Sequence, residues 1–215
     1  MKIIECEQGT ASWYAARLGV VTASEVDALI TPKWALRKGD GVETYLCRKV
    51  AEKLLNYSPD QLNTFSVDQG KILETIAIPW FEFTQNRKVK RVGFVSTDDG
   101  RAGCSPDALL DDGTGLEIKC PQAPNQIKYL LDGRVPEDYL PQVHFSMLVT
   151  GAASWMFCSY HLRLPALIIK VQRDEAIQAK LQEALASFLP RFDAALAKIE
   201  TLRAVVRATE RAAKL

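Results

Sequence analysis

Gly103-Cys104-Ser105-Pro106-Asp107 is followed, after nine intervening residues, by Glu117-Ile118-Lys119. Side chains alternate between the faces of a strand, so Glu117 and Lys119 share one face while Leu116 and Ile118 take the other. The stretch between, Ala108-Leu109-Leu110-Asp111-Asp112-Gly113-Thr114-Gly115, reads as a strand end and a tight turn. Asp-Gly is a strong hairpin signal. The turn folds the chain back and brings Asp107 beside Glu117. Two adjacent carboxylates repel unless a cation lies between them. A hard divalent ion with oxygen ligands, Mg2+ above all, meets that need. Lys119 can orient or deprotonate a water, or stabilise charge building on a phosphate. The expected chemistry is metal-dependent phosphodiester hydrolysis.

Outward from this hairpin, the pattern is mixed. It predicts a short helix over 10–18 and a second helix opened by the capping-box pattern Thr22-Ala23-Ser24-Glu25 and running to about Ile30. A basic, Gly- and Pro-punctuated loop covers 31–42, with a helix over about 43–55 and a turn at Asn56–Asp60. A long, mostly apolar helix is expected over 69–85, interrupted at Pro79. Strands follow near 89–96, 101–104, 107–110 and 115–119, then helices over 125–131 and 137–149. Two more strands cover 154–160 and 166–171. From Asp174 onward the pattern is helical, with Pro190 at the first position of the last helix. Neither an internal repeat nor a low-complexity linker interrupts it. The reading is a single α/β domain over 1–215, its sheet in the middle and C-terminal helices over about 174–213 packing on it.

Composition sets bounds. The 215 residues suffice for one domain with a substantial core. Hydrophobic content of 47% and charged content of 25% are those of an ordinary globular protein. No apolar run approaches the roughly 18 residues of a membrane span, and Met1–Gln8 lacks a signal-peptide apolar region, so the expected compartment is the cytoplasm and no membrane partner is expected. Five cysteines, at Cys6, Cys47, Cys104, Cys120 and Cys158, form no Cys-x-x-Cys pair and read as buried or semi-buried thiols. A net charge of +1 argues against a DNA clamp made from overall charge. Any contact with nucleic acid must come from local patches or from geometry such as encirclement. The absence of a Gly-x-x-x-x-Gly-Lys-Ser/Thr loop gives no support to an ATP-driven helicase.

Several residues carry two readings. Glu74 has Ala77, Ile78 and Phe81 as helical neighbours, and a carboxylate on an apolar stripe is costly to bury alone. It is either the edge of a buried helix or part of a site. Arg17 and Ser24 flank a helix start, where free N–H groups and dipole charge favour a phosphate; a cap with a surface ion pair is the alternative. Gln142 is a partly exposed polar residue or a site residue. His144 and His161 pair with no Cys or Ser and read as structural. Arg87-Lys88-Val89-Lys90-Arg91 reads as a solvated basic face.

Pro106-Asp107…Glu117-Ile118-Lys119 resembles the PD-(D/E)xK nuclease signature. The match extends through Trp13-Tyr14-Ala15-Ala16-Arg17-Leu18-Gly19-Val20-Val21-Thr22-Ala23-Ser24-Glu25-Val26, Gly70-Lys71-Ile72-Leu73-Glu74, Cys104-Ser105-Pro106-Asp107, Gly115-Leu116-Glu117-Ile118-Lys119-Cys120-Pro121 and Gln142-Val143-His144-Phe145-Ser146-Met147. In that order, across roughly 8–195, these segments resemble the phage lambda exonuclease or YqaJ-type viral recombinase family. The chain departs from the family pattern in lacking a basic residue shortly after Cys120-Pro121.

The resemblance implies a central mixed β-sheet flanked by helices, the restriction-endonuclease-like core. It implies that Asp107 and Glu117 bind Mg2+, with Mn2+ as a substitute, that the Ile118 carbonyl is a further ligand, and that Glu74 is a third metal-site carboxylate, directly or through water. Lys119 would assist the attacking water, and Gln142 would orient that water or the scissile phosphate. Arg17, Ser24 and Ser105 would hold the 5′-terminal phosphate of a duplex end. Lys33, Arg37 and Lys38 would contact the duplex, and Val67 falls where the family has an apolar strand-parting wedge. The implied activity is 5′→3′ exonuclease action on linear double-stranded DNA, leaving 3′ overhangs for phage or prophage recombination. The implied partners are DNA ends, two further copies in a homotrimeric ring, and a phage-type single-strand annealing protein. A structure-specific endonuclease and a non-catalytic DNA-end-binding subunit are the competing readings.

Overall fold

A computed structural model describes residues 1–57 and 65–212, the side chains of 65–72, 208 and 210–212 excepted. In chain order the elements are β1 (Lys2–Ile4), α1 (Ala11–Arg17), β2 (Val21–Thr22), a 3-10 helix (Ala23–Ala28), α2 (Asp40–Leu55) and α3 (Phe65–Gln85). Then come β3 (Val89–Lys90), β4 (Phe94–Ser96), β5 (Ala102–Cys104), β6 (Ala108–Leu110) and β7 (Gly115–Lys119). They are followed by α4 (Ala123–Asp132), a 3-10 turn (Glu137–Tyr139), α5 (Leu140–Thr150), β8 (Ser154–His161), β9 (Leu164–Gln172) and α6 (Glu175–Ala212).

The strands form two mixed sheets, ordered β1-β4-β5-β2 and β3-β6-β7-β8-β9. In the first, only β2 and β5 run parallel; in the second, only β7 and β8 do. The run over 89–96, expected as one strand, is two. Val89–Lys90 pairs with β6, and Phe94–Ser96 pairs with β1 and β5. The break falls at Gly93, where a Cβ would sit 2.0 Å from the Cys6 carbonyl oxygen. A side chain there would exclude the N-terminal segment.

Helices cover both faces of the larger sheet. Ala77, Ile78 and Phe81 of α3 pack on Leu116, Ile118 and Cys158. Val143 and Met147 of α5 pack on Trp155 and Phe157. These opposite alternations are the period-2 pattern of the hairpin made three-dimensional: Leu116 and Ile118 face α3, while Glu117 is left to face α5. A further core joins α2, α5, the smaller sheet and α6 through Tyr45, Val95, Phe145, Leu181, Phe188 and Phe192.

Three local expectations are corrected. The Thr22–Glu25 segment opens a 3-10 helix, and Thr22 makes no side-chain cap. Its hydroxyl donates instead to Glu25 Oε2 at 2.7 Å, because Glu25 is engaged by Arg48 and Lys49 of α2. Pro190 lies inside α6, which is a single helix from Glu175 to Ala212 and not several. An internal proline costs about 3 kcal/mol. Phe188 and Phe192 flank it, both buried, and each contributes about 1.5–3 kcal/mol of burial that offsets the lost hydrogen bond. Likewise α3 runs through Pro79 without a break.

Candidate active site

The β6–β7 hairpin forms as its sequence demands. Gly113 N–H donates to Leu110 O at 3.0 Å, with Gly113 at φ +81°, a conformation natural to glycine. Thr114 N–H donates to Asp112 Oδ1 at 3.0 Å, and Leu110 N–H closes the loop onto Thr114 O at 2.9 Å. The register sets Ala108 opposite Leu116, and Asp107 N–H donates to Leu116 O at 3.1 Å. Asp107 therefore lies directly across from the strand that carries Glu117. Its Oδ2 accepts the Ile118 N–H at 2.5 Å.

Glu117 is only 4% exposed. Its Oε1 accepts from Lys119 Nζ at 2.6 Å and from Gln142 Nε2, on α5, at 2.6 Å. Lys119 is about a quarter exposed, and its Nζ stands 5.1 Å from the centroid of the Tyr139 ring. Burial pushes the Asp107 carboxyl well above the usual range, and the Glu117 and Glu74 carboxylates push it further. Burial alone would lower the Lys119 pKa, but the Glu117 carboxylate beside it holds it above its ordinary value. Burial also raises the neighbouring Cys120 thiol to about 12, so it is no nucleophile near neutral pH.

A cleft of about 950 Å3 opens over this cluster, with Asp107, Ile118, Lys119, Glu74 and Tyr139 in its wall. Among the described residues no three His, Cys, Asp or Glu side chains stand as a ready-made cage for an ion. The donor set nevertheless suits a hard cation. Burial and two other carboxylates push the Asp107 pKa up, and a divalent ion would relieve that repulsion. Mg2+ in particular is held through one or two carboxylates, with waters and phosphate oxygens completing its shell.

The residues expected to hold a phosphate also converge. Arg17 donates through NH1 to Ser105 Oγ at 3.2 Å and through NH2 to Ser24 Oγ at 2.9 Å. The guanidinium lies 4.4 Å from the centroid of the Trp13 ring, and Trp13 Nε1 donates to the same Ser105 hydroxyl at 2.9 Å. Ser105 is two residues before Asp107, and Trp13, which donates to it, lines the cleft together with Asp107 and Glu74.

Other expected contacts are more dispersed. Lys33 and Lys38 are exposed on the early loop. Arg37 Nε is tied to the Asp27 carbonyl at 2.5 Å. Trp34 anchors that loop edge-on against His144, with ring centroids 5.3 Å apart. Val67 belongs to α3, but its side chain lies outside the described residues.

Sequence reasoning passed over three residues. Trp13 sits one helical turn before Arg17, a spacing that could have flagged the stacking. Tyr139 lies in a 3-10 turn with no periodic signal. Lys88, Lys90 and Arg91 are exposed as a solvated face would be, but Arg91 also lines the cleft, and Arg87 pairs with Asp111 at 2.9 Å and Asp112 at 2.8 Å.

A mixed sheet between helices, with an Asp, a Glu and a Lys gathered on one hairpin, defines a PD-(D/E)xK-like nuclease fold. The family model of the YqaJ-like viral recombinase domain matches residues 12–153, and the chain belongs to that family. Among solved structures, the chain is similar to an alkaline exonuclease (LHK-Exo) from Laribacter hongkongensis, with a TM-score of 0.81 and 27% identity over 92% of this chain and 100% of that one. A second structure of that enzyme, in complex with dAMP, matches equally, with a TM-score of 0.81. A phage related exonuclease from Haemophilus somnus 129PT shares the fold, with a TM-score of 0.62 at 13% identity over 84% of this chain and 96% of that one. No curated protein gave a significant match. Family and neighbour together support a nuclease. Among the described residues no helix is long and apolar enough to cross a membrane.

Proposed function

We propose that the protein is a Mg2+-dependent exonuclease that degrades the 5′ strand of linear double-stranded DNA from its end, 5′→3′, leaving 3′ overhangs. One observation carries this reading: Arg17 and Trp13 both donate to Ser105, two residues before Asp107, and Trp13 lines the same cleft as Asp107 and Lys119. A pocket for a terminal phosphate beside a phosphodiester-cleaving site is what end-directed removal of nucleotides requires.

Asp107 and Glu117 would hold the metal, with the Ile118 carbonyl and Glu74 completing the protein's share. Bound there, Mg2+ polarises the scissile phosphate and makes an attacking water more acidic. The chain's residues do the remainder. Lys119, as an ammonium, donates to the attacking water or to the phosphate oxygens. Gln142 fixes the Glu117 carboxylate through its amide N–H. Arg17 offers paired N–H groups to a 5′-phosphate. The exposed Lys33 and Lys38 steer the duplex. A homotrimeric ring threaded by DNA would compensate for the net charge of +1. A phage-type single-strand annealing protein would take up the overhang, and Mn2+ would replace Mg2+.

The test supplies purified protein with Mg2+, a linear duplex carrying separate labels on its two strands, and a closed circular duplex. Loss of the 5′ label first, with the circle untouched, is expected. Cutting of the circle would indicate an endonuclease instead, and binding of ends without cleavage a non-catalytic subunit.

A further inference from the structure

Arg17 makes no ion pair within the described residues; its guanidinium is held by hydroxyls and a ring. NH2 reaches Ser24 Oγ at 2.9 Å and Thr22 Oγ1 at 3.5 Å, and NH1 reaches Ser105 Oγ at 3.2 Å. The nearest carboxylate in this chain of contacts stands one step behind. Thr22 donates its only hydroxyl hydrogen to Glu25 Oε2 at 2.7 Å. That leaves lone pairs of a buried oxygen turned to Arg17 and to the Ser24 hydroxyl, 3.4 Å away.

Glu25 is itself held on both oxygens. Oε1 accepts from Arg48 at 2.9 Å, and Oε2 from Lys49 at 2.7 Å. Lys49 is 3% exposed and also pairs with Glu52 at 3.0 Å. Glu52 in turn accepts the Gly19 N–H at 3.0 Å, in the turn that follows Arg17. So α2 grips the Arg17 region twice, by its backbone through Glu52 and by its side chain through Glu25 and Thr22. Among the described contacts, Arg48 and Lys49 are the cations bonded to Glu25, and Lys49 is also bonded to Glu52. Both carboxylates are thus bonded by cations other than Arg17.

We propose that Glu25, locked by Arg48 and Lys49, is a positioning residue for recognition of the 5′-terminal phosphate: it orients Thr22 as an acceptor that aims Arg17, and leaves Arg17 without a carboxylate of its own. This rests on the phosphate-end reading above. A phosphate entering the pocket then meets a guanidinium that has no ion pair to surrender. Arg17 and Ser24 touch the phosphate in this arrangement; Thr22 and Glu25 act only through them.

The test measures kcat and KM for duplexes ending in 5′-phosphate and in 5′-hydroxyl. The wild type should favour the phosphate. Thr22→Val keeps shape and charge but deletes the hydroxyl. It should cut that preference about tenfold, the worth of one charge-assisted hydrogen bond, mainly through KM. Thr22→Ser should restore it. Glu25→Gln should reproduce the loss even though it makes the pocket more positive. If Glu25→Gln folds and strengthens the phosphate preference, Glu25 merely sets local charge and the proposal fails. If Glu25→Gln does not fold, Thr22→Val decides: a retained preference overturns the proposal. A wild type with no preference at all would instead remove the phosphate-end reading, and this inference with it.

Discussion

Gln142 Nε2 donates to Glu117 Oε1 at 2.6 Å, and that bond fastens α5 to the hairpin that carries the acidic residues. Because Lys119 Nζ reaches the same oxygen, also at 2.6 Å, the carboxylate is pinned from two elements at once. Its second oxygen has no such anchor among these contacts. In the proposed metal site, Glu117 would thus be oriented by groups that need not touch the ion, the usual role of partners behind a ligand.

Loss of that anchor should show in catalysis before it shows in stability. Gln142→Leu is expected to lower kcat/KM on linear duplex by about 10- to 100-fold, the usual penalty for removing such a partner. Paired melting curves and steady-state rates measure both effects.

Lys119 should be harder to replace. Lys119→Met removes the ammonium from the reacting centre and is expected to lower kcat by about 100- to 10,000-fold. Lys119→Arg should rescue little of it, because a planar fork cannot stand where a compact ammonium sits between Glu117 and the Tyr139 ring. Single-turnover rates with saturating enzyme separate this from weaker binding.

Asp107 gives the metal-free protein a pH signature. Its folded-state pKa is raised, first by burial and then by Glu117 and Glu74. The folded protein therefore holds a proton that the unfolded chain releases at the ordinary carboxylate pKa. The stability this confers is complete below that ordinary value and is lost as pH rises through the folded value. Without divalent ions, Tm should fall over that window, and Asp107→Asn should flatten the fall. Added Mg2+ should raise the wild-type Tm more at high pH than at low pH, and should not raise that of Asp107→Asn. Thermal melts across pH, with and without Mg2+, read all three.

The long C-terminal helix is part of the core. Phe188 is 2% exposed and packs against Tyr45, with ring centroids 5.3 Å apart. Phe188→Ala should cost about 3–5 kcal/mol and lower Tm by roughly 6–20 °C. A shift near zero would mean that α6 is not docked as described.

The hairpin and the approach of Asp107 to Glu117 were legible because they depend on local rules: an Asp-Gly turn, alternation with period 2, and carboxylates with nine residues between them. The fate of 89–96 was not. Its division between two sheets depends on the Cys6 backbone lying against Gly93, a contact between segments far apart in the chain. The continuity of α6 through Pro190 was hidden for the same reason, since buried phenylalanines on either side outweigh a local breaker. Thr22 and Glu25 fit a capping box by spacing, yet α2 supplies cations that draw Glu25 away from that task. Tyr139 and Arg91 reach the cleft through the path of the chain around it, which no periodicity encodes.

The most direct measurement follows nucleotide release from a 5′-phosphorylated linear duplex in three reactions: wild type with Mg2+, wild type with EDTA, and Asp107→Asn with Mg2+. Release in the first alone is the expected result. Undiminished release in either of the others would contradict a hydrolytic centre built on the Asp107–Glu117 hairpin and its cation.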